Sequence, residues 1–444
     1  MQESKAQLSL FSIGIVVLSL VIGMGIFKTA SVSAGSSNTP VIFFSAWIFG
    51  GLIALCGALT YAEIGARYPV TGAYYKVFSV AYHPSIAFAM NGMILVTNAA
   101  SLGGVALIGS DYLVALLFDH PVSTFYESMI AVFIILIFYL VNLKGLRMSS
   151  LALNVLMMIK LGLLMTIVTA LFFTDLHVKP DIALASSSQA MGVSEWIWSF
   201  GATLVAVCFT YGGYQHTINF GEEVEDPRRN LPRGIFLGIG VVILFYVLVN
   251  LSYYLVIGFE ELKTTEGVAS VVVRKMMGEV GEKIFTVLLV LALLTYVNVN
   301  LMSNPRIMYA MSLDGVLPKV FQWKSCKHQV LIYSLTTFAI AAVVITFFAE
   351  TFERILGFVM ILDSLGMAAS AATIFYLRKS MDKDGVHQEK VFSIKLYPWV
   401  PLFFIAAYLF VAASCVYLNP VNGMVAAIVV LGLWGFYYII RKKF

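Results

Sequence analysis

The chain has 444 residues, of which 60% are hydrophobic and 12% are charged. A soluble domain is about half apolar and about a quarter charged, so this composition excludes a soluble enzyme, a disordered chain and a nucleic-acid-binding domain with a basic face. A transmembrane helix needs about 20 mostly apolar residues, and twelve such helices would use roughly 240 residues of the chain. The composition therefore predicts a polytopic membrane protein.

Apolar residues run in twelve segments with no long linker between them, which predicts an all-α membrane protein with a single domain, residues 1–444. Two further stretches, 70–83 and 266–277, have the apolar spacing of helices that lie along the membrane interface. The twelve segments are 8–33, 41–68, 85–118, 127–143, 150–173, 196–220, 234–259, 282–302, 330–348, 355–377, 397–418 and 421–440.

The distribution of Lys and Arg predicts how these segments are oriented. An even number of spans puts both termini on one side of the membrane, and the loops richer in Lys and Arg face the cytoplasm. With twelve spans, 20 of the 28 basic residues lie on the side of the termini and six on the other side. We therefore expect a multi-pass protein of the cell membrane with both termini in the cytoplasm.

Two segments are interrupted by glycine pairs at mid-membrane depth. The first segment contains Gly23 and Gly25, and the sixth contains Gly212 and Gly213. Each glycine costs about 1 kcal/mol relative to alanine in a helix, and unwound backbone at that depth survives only inside protein or along a wet cavity. Close helix packing is the alternative explanation. The two breaks are five spans apart, which is the spacing that an inverted repeat of five helices requires.

Unwinding a helix exposes backbone groups that suit one kind of ligand. The freed N–H groups and the positive end of the second half-helix favour a carboxylate. The freed carbonyl groups of the first half-helix favour an ammonium group. Together the breaks predict a site for the backbone of a free α-amino acid.

An ordered set of motifs over essentially the whole chain resembles the amino acid–polyamine–organocation transporters, and among them the L-type amino acid transporter and serine/threonine exchanger group. Residues 297 and 298 in the eighth segment and residues 304–306 just after it also fit this pattern. The main motifs are Gly-Met-Gly-Ile-Phe at 23–27, Tyr-Ala-Glu-Ile-Gly-Ala-Arg-Tyr-Pro at 61–69, Phe-Thr-Tyr-Gly-Gly-Tyr at 209–214 and Glu-Glu-Val-Glu-Asp-Pro-Arg-Arg-Asn-Leu-Pro-Arg at 222–233.

The resemblance implies a five-plus-five inverted repeat with broken helices 1 and 6 (the LeuT-like fold), followed by two additional helices. The first repeat would span 8–173, the second 196–377 and the last two helices 397–440. The sequence departs from the family pattern around the side-chain pocket at Met24, Thr210 and Tyr214. The identity of the transported side chain therefore does not follow from the substrate of a relative. The implied substrate-binding residues are Ile22, Gly23, Met24, Gly25, Ile26, Phe209, Thr210, Tyr211, Gly212 and Asn298.

Lys160 lies about ten residues into the otherwise apolar fifth segment. A lysine at the bilayer centre costs at least about 2.5–3.5 kcal/mol, which favours a functional role, and the alternative of a snorkelling lysine requires a position near a helix end. In related transporters, a similar lysine takes the place of a sodium ion between the first and eighth helices. The resemblance therefore implies sodium-independent transport, with the Lys160 ammonium group bound to carbonyls around Gly23, and leaves proton coupling open.

Lys28 and Asp363 are the other two charged residues that lie away from the ends of predicted spans. In the related neurotransmitter:sodium symporters, a basic residue of the first helix and an aspartate of the tenth close the outer gate. Since intramembrane charges usually pair, we hypothesise that Lys28 and Asp363 form such a gate pair. The alternative is that Lys28 extends outward and Asp363 hydrogen-bonds locally.

The sequence thus predicts a sodium-independent transporter, and by family resemblance an exchanger, of neutral L-amino acids. Cys208, Phe209, Thr210 and Tyr211 suit a neutral side chain. A proton-coupled symporter and an amine or polyamine permease of the same fold are the alternatives, and the permease would be favoured if Asp363 faced the pocket.

No HExxH, GxSxG or clustered His and carboxylate motif suggests an enzyme, a metal or a cofactor. Residues 120–126 lack the cysteine that joins eukaryotic members of the group to a single-span glycoprotein, so we expect no such disulfide-linked subunit.

Overall fold

The computed structural model describes residues 8–23, 25–70, 73–118, 122–145, 150–173, 175, 192–221, 224–325, 330–349, 351–383 and 392–441. These residues are almost entirely helical. Their α-helices are α1 (Leu10–Val21), α2 (Gly25–Ser36), α3 (Pro40–Arg67), α4 (Ala73–Ala81), α5 (Pro84–Leu117), α6 (Thr124–Leu143), α7 (Ser150–Thr169), α8 (Val193–Tyr211), α9 (Pro227–Ile257), α10 (Phe259–Thr264), α11 (Val268–Leu313), α12 (Ile332–Ala349), α13 (Phe352–Lys383), α14 (Trp399–Leu418) and α15 (Pro420–Arg441).

Within the described residues, ten helices are long and apolar enough to cross a membrane. The pair α1 and α2, bent by 48° at its break, passes the same test of length and composition when it is taken as one span, and Ile332–Phe348 in α12 is a shorter apolar helix. Each of the twelve apolar segments coincides with one of these helices or with the bent pair. The all-α membrane fold is thus confirmed, whereas the count of twelve spans, the inverted repeat and the division of the domain stay predictions.

The two stretches predicted to lie along the interface are also helical. The first forms α4, which connects α3 to α5. The second forms the beginning of α11, which is separated from the rest of that helix by a non-helical residue, Gly278, with φ of 70°. A positive φ favours glycine, so this residue allows the short segment to turn away from the long one.

Helix α3 forms the centre of the packing around the first and sixth predicted spans. It contacts α9 along much of its length and also packs against α8 and α14. Gly50 and Gly57 of α3 leave no room for a side chain, because a Cβ atom there would overlap Val207 and Tyr214 respectively. Small residues let membrane helices approach closely. The face of α3 therefore holds α8 and the turn after it near α1 and α9.

A buried carboxylate joins three segments at the end of the bundle where α1 begins. The Glu63 side chain is 0% exposed and accepts hydrogen bonds from Arg67 Nε at 2.6 Å and from Arg378 Nε and Nη2 at 2.7 and 2.6 Å. It also accepts one from the Ile394 backbone N–H at 2.8 Å. The Arg378 guanidinium lies 3.7 Å from the centre of the Tyr397 ring. Glu63 thus ties α3 to α13 and to the segment before α14.

We predict that Glu63→Ala destabilises the protein by about 3–5 kcal/mol, because removal of one partner leaves buried charge uncompensated. Unfolding of the purified protein in detergent measures this effect. Glu260→Ala is the control, since Glu260 is exposed and contacts Lys263 in a surface ion pair at 2.8 Å, for which a loss below about 1 kcal/mol is expected. Equal losses in the two variants would contradict a structural role for the buried cluster.

Candidate functional site

The first break separates α1 from α2. Helix α1 ends at Val21, and Ile22 has a non-helical ψ of 82° while its N–H still donates to the Leu18 carbonyl. The Gly23 N–H donates to the Val21 carbonyl at 2.7 Å, which turns the chain sharply before α2 starts at Gly25. Met24, one of the predicted substrate-binding residues, lies outside the described residues. The glycine signal in the sequence therefore marks a real interruption of the helix.

The second break follows α8 and depends on Gly213. The Gly212 N–H donates to the Phe209 carbonyl at 3.2 Å, and Gly213 then adopts a φ of 114°, a conformation that side chains disfavour. A Cβ atom at Gly213 would also overlap the Leu20 carbonyl oxygen of α1. The chain continues in a 3₁₀ turn, Tyr214–Asn219. Only glycine satisfies both the turn and the close approach to α1.

The two breaks meet through a pair of buried threonines. The hydroxyl oxygens of Thr29 in α2 and Thr210 in α8 lie 2.6 Å apart. Each also lies 2.8 Å from a carbonyl oxygen of its own helix, that of Gly25 and that of Ala206. A Cβ atom on Gly25 would lie 3.0–3.1 Å from Thr210. Gly25 therefore allows the start of α2 to pack directly against the end of α8.

Tyr246 of α9 connects the two unwound segments from the other side. Its hydroxyl lies 2.9 Å from the Val21 carbonyl oxygen and 3.2 Å from the Thr210 carbonyl oxygen. A phenol has one proton, so it donates to one of these two carbonyls at a time. Tyr246 is not among the site residues predicted from the sequence, although a tyrosine inside an apolar span is a signal that its hydroxyl needs a buried partner.

The region around Gly23 keeps both space and free hydrogen-bond donors. Among the described residues other than its two chain neighbours, a Cβ atom there would have one neighbour within 4 Å, the Val21 carbonyl oxygen at 3.9 Å. Gly23, Phe209 and Gly212 are partly exposed. No described residue accepts a hydrogen bond from the backbone N–H groups of Gly25 or Ile26, as is usual in the first turn of a helix. This arrangement favours an anionic group at the start of α2.

Other side chains that were predicted to bind substrate are buried or pack against neighbouring helices. Ile22 and Ile26 are fully buried. The Tyr211 ring packs against Trp47 and Tyr246, with centroids 5.9 and 5.0 Å away.

Asn298 is also buried, and its Oδ1 accepts a hydrogen bond from Asn142 Nδ2 of α6 at 2.8 Å. Its side chain therefore joins α11 to α6. Phe209, by contrast, is partly exposed, and its ring contacts Phe352 at the start of α13 with centroids 5.9 Å apart.

Lys160 is buried in α7 with 7% of its surface exposed. Among the described residues it has neither a hydrogen bond nor an ion pair. Helix α7 packs mainly against α11 and α9. Its ammonium group makes no hydrogen bond to a described carbonyl near Gly23, and Met24 lies outside the described residues, so the role of Lys160 in replacing sodium stays a prediction.

Lys28 contacts a different carboxylate from the one hypothesised. Its Nζ lies 3.5 Å from Asp111 Oδ2 of α5. The hypothesised pair between Lys28 and Asp363 is therefore not formed in this structure, because the first turn of α2 faces α5. Lys28 also lines a cavity of about 550 Å³ at the end of the bundle opposite the start of α1, together with residues of α2, α8 and α13.

We predict that Tyr246→Phe lowers stability by about 0.5–1.5 kcal/mol, because it removes the hydrogen bond by which α9 holds one of the two breaks. Thermal unfolding in detergent measures the change. Tyr253→Phe is a matched control seven residues later on α9, since the buried Tyr253 hydroxyl has no hydrogen-bond partner in the described part of the chain. An equal or larger loss in the control would contradict a specific role for the Tyr246 hydroxyl.

Comparison with known proteins shows which family the chain belongs to. The amino acid permease family model matches residues 8–436. The serine/threonine exchanger SteT of Bacillus subtilis (strain 168) is 24% identical over 445 aligned residues, covering 99% of this chain and 98% of the relative.

Two other relatives match over a smaller region. The large neutral amino acids transporter small subunit 2 of Homo sapiens is 27% identical over 328 residues, covering 71% of this chain and 59% of that protein. The methylthioribose transporter of Bacillus subtilis (strain 168) is 26% identical over 329 residues, covering 71% of this chain and 68% of that protein. The resemblance to the amino acid–polyamine–organocation transporters is thus confirmed, and the chain belongs to the amino acid permease family of membrane transporters and is not an enzyme.

Proposed function

We propose that the protein is a sodium-independent exchanger of neutral L-amino acids across the cytoplasmic membrane, with both termini in the cytoplasm. The observation that carries the proposal is the meeting of two unwound helix segments around Gly23 and Thr210. The relatives named as a serine/threonine exchanger and a large neutral amino acids transporter support amino acids as the substrate class.

The backbone groups at the breaks suggest how an amino acid binds. Its carboxylate would accept hydrogen bonds from the free N–H groups of Gly25 and Ile26, where the positive end of α2 adds a favourable field. Its ammonium group would donate to the carbonyls of Val21 and Thr210. The Val21 carbonyl already accepts the Gly23 N–H, and the Tyr246 hydroxyl donates to one of the two carbonyls at a time. When that proton points to Thr210, each carbonyl oxygen has one lone pair left for the ammonium group.

The two ends of the bundle support alternating access. At the end where α1 begins, Leu8 pairs with Val224 and the Glu63 cluster ties α3 to α13. The opposite end contains the cavity that Lys28 lines. This asymmetry is consistent with a path that is closed toward the cytoplasm and open toward the other side. Rotation of α1 and α2 about the first break would exchange these states.

The side-chain preference is proposed from the residues near the breaks. Cys208 and Phe209 are uncharged, and no described carboxylate forms a hydrogen bond with either of them. A neutral side chain fits this surface. We expect no disulfide-linked partner subunit; His120 and Pro121, in the stretch where such a cysteine would lie, are outside the described residues.

A proton-coupled symporter or an amine or polyamine permease of the same fold is the second candidate. The observation that favours it is Asp363, a membrane-embedded carboxylate that makes no hydrogen bond or ion pair with any described residue. Uptake of radiolabelled amino acids into proteoliposomes, with and without internal amino acid, separates exchange from the other modes.

We predict that Gly23→Leu abolishes amino acid binding while the protein stays folded, because the site has room for a side chain that would fill the space of the ligand backbone. A ligand-induced shift in thermal unfolding measures binding. Gly240→Leu on α9 is the control, since a Cβ atom there meets no neighbour within 4 Å and the residue is exposed. Unchanged ligand shifts in Gly23→Leu would contradict the assignment. Gly25→Leu is the weaker test, because its side chain would collide with Thr210.

We predict that replacement of sodium by choline leaves wild-type exchange unchanged, whereas Lys160→Met lowers the exchange rate by roughly tenfold or more. The expected loss corresponds to one charge-assisted hydrogen bond, made when the α1–α2 break changes conformation. Uptake in proteoliposomes measures both effects. A sodium requirement of the wild-type protein would contradict the assignment of Lys160 as a substitute for the ion.

A further inference from the structure

Two hydroxyl bridges join α2 to α8. In the first bridge, the hydroxyl oxygens of Thr29 and Thr210 lie 2.6 Å apart, and each lies 2.8 Å from the carbonyl oxygen four residues earlier in the chain. In the second bridge, the hydroxyl oxygens of Ser37 and Thr203 lie 2.9 Å apart, and they lie 2.7 and 2.8 Å from the carbonyl oxygens four residues earlier. All four side chains are buried. The two bridges therefore have the same pattern, carbonyl–hydroxyl–hydroxyl–carbonyl.

The two bridges end on different parts of α2. The first bridge ends on the carbonyl of Gly25, the first residue of α2, whereas the second ends on the carbonyl of Ser33, in the last turn of that helix. The Gly25 carbonyl belongs to the same peptide group as the Ile26 N–H, and no described residue accepts a hydrogen bond from that N–H. Only the first bridge therefore reaches a backbone group of the proposed carboxylate site.

The protons of the first bridge have two possible arrangements. A hydroxyl group donates one proton and accepts through its lone pairs. The bridge has three short oxygen–oxygen contacts but two hydroxyl protons, and the contact of 2.6 Å between the hydroxyls requires one of them, because two lone pairs at that distance would repel. The other proton therefore points either to the Gly25 carbonyl or to the Ala206 carbonyl, so that the hydrogen bonds run toward one helix at a time.

A carboxylate at the start of α2 would favour one of these two arrangements. When Thr210 donates to Thr29 and Thr29 donates to the Gly25 carbonyl, the hydrogen bond to that carbonyl polarises the peptide group and strengthens the Ile26 N–H as a donor. The negative charge of the carboxylate favours the same direction, because hydrogen bonds in a chain polarise one another. The bridge and the ligand would thus stabilise each other through one peptide group.

We propose that Thr29 and Thr210 are positioning residues of the carboxylate site, whose hydroxyl bridge holds the first turn of α2 against α8 and strengthens the Ile26 N–H as a donor to the transported amino acid. The inference rests on the proposed function and deepens it. Thr210 acts through the Gly25 peptide group and not by contact with the substrate, in keeping with a side chain that is 3% exposed. The second bridge holds the same two helices together without this role.

The second bridge provides a matched control for the first. Thr210→Val removes one hydroxyl at nearly constant volume, and Thr210→Ser keeps it. Thr203→Val removes a buried hydroxyl with the same two kinds of contact from the same helix. Thr29→Val breaks the first bridge from the other helix and is measured in parallel. For each purified full-length variant, the measurements are equilibrium binding of L-norleucine, a neutral amino acid, thermal unfolding, and norleucine exchange in proteoliposomes.

We expect Thr210→Val to weaken norleucine binding about fivefold to tenfold, as loss of one hydrogen bond implies, while Thr210→Ser and Thr203→Val stay within about twofold of the wild type. Thr210→Val and Thr203→Val should lower the Tm by similar amounts, because each breaks one bridge. In exchange, the half-saturating concentration rises in Thr210→Val, whereas the maximal rate stays within about twofold. Thr29→Val should show the same loss of affinity, with no further loss when it is combined with Thr210→Val.

Wild-type affinity in Thr210→Val and Thr29→Val would overturn the inference, even if the maximal rate fell, because the bridge would then act on the conformational change and not on the site. Equal losses of affinity in Thr210→Val and Thr203→Val would also overturn it, since either bridge would then have the same structural effect. In these cases, norleucine binding by the wild type and its loss in Gly23→Leu would leave the proposed function intact. Absence of norleucine binding to the wild type would overturn both.

Discussion

The contact between the two unwound segments is the constraint on which the site depends. Gly213 brings the end of α8 against the Leu20 carbonyl of α1, and the Tyr246 hydroxyl lies within hydrogen-bonding distance of both Val21 and Thr210. Neither break could exist alone in hydrocarbon, since unpaired backbone groups there are costly. Each break therefore provides part of the protein environment that the other requires. A ligand that carries both a carboxylate and an ammonium group would bind the backbone groups that stay unpaired.

The positions of the breaks were predictable because glycine is a local signal. A glycine pair inside an apolar run indicates unwound backbone, and this signal does not depend on how the neighbouring helices pack. Both pairs coincide with the helix ends in the structure. The apolar segments were predictable for a similar reason, since each helix must match the thickness of the bilayer by itself.

Side-chain partners were less predictable because they depend on how helices rotate against one another. Lys28 pairs with Asp111 of α5 and not with Asp363, and Tyr211 faces Trp47 instead of the open space near Gly23. The role of Tyr246 also follows only from the packing of α9 on α1. One residue of rotation moves a side chain by about 100° around a helix, which sequence spacing alone does not fix.

In the proposed site, the breaks recognise the carboxylate and the ammonium group of an amino acid together. Competition against bound L-norleucine by its one-group analogues, hexanoate and 1-aminopentane, measures whether both groups are required. Because each analogue satisfies one half of the site, we predict that neither competes at concentrations at which unlabelled norleucine displaces the ligand completely. Displacement by either analogue as efficiently as by norleucine would contradict the account, because one break would then suffice for recognition.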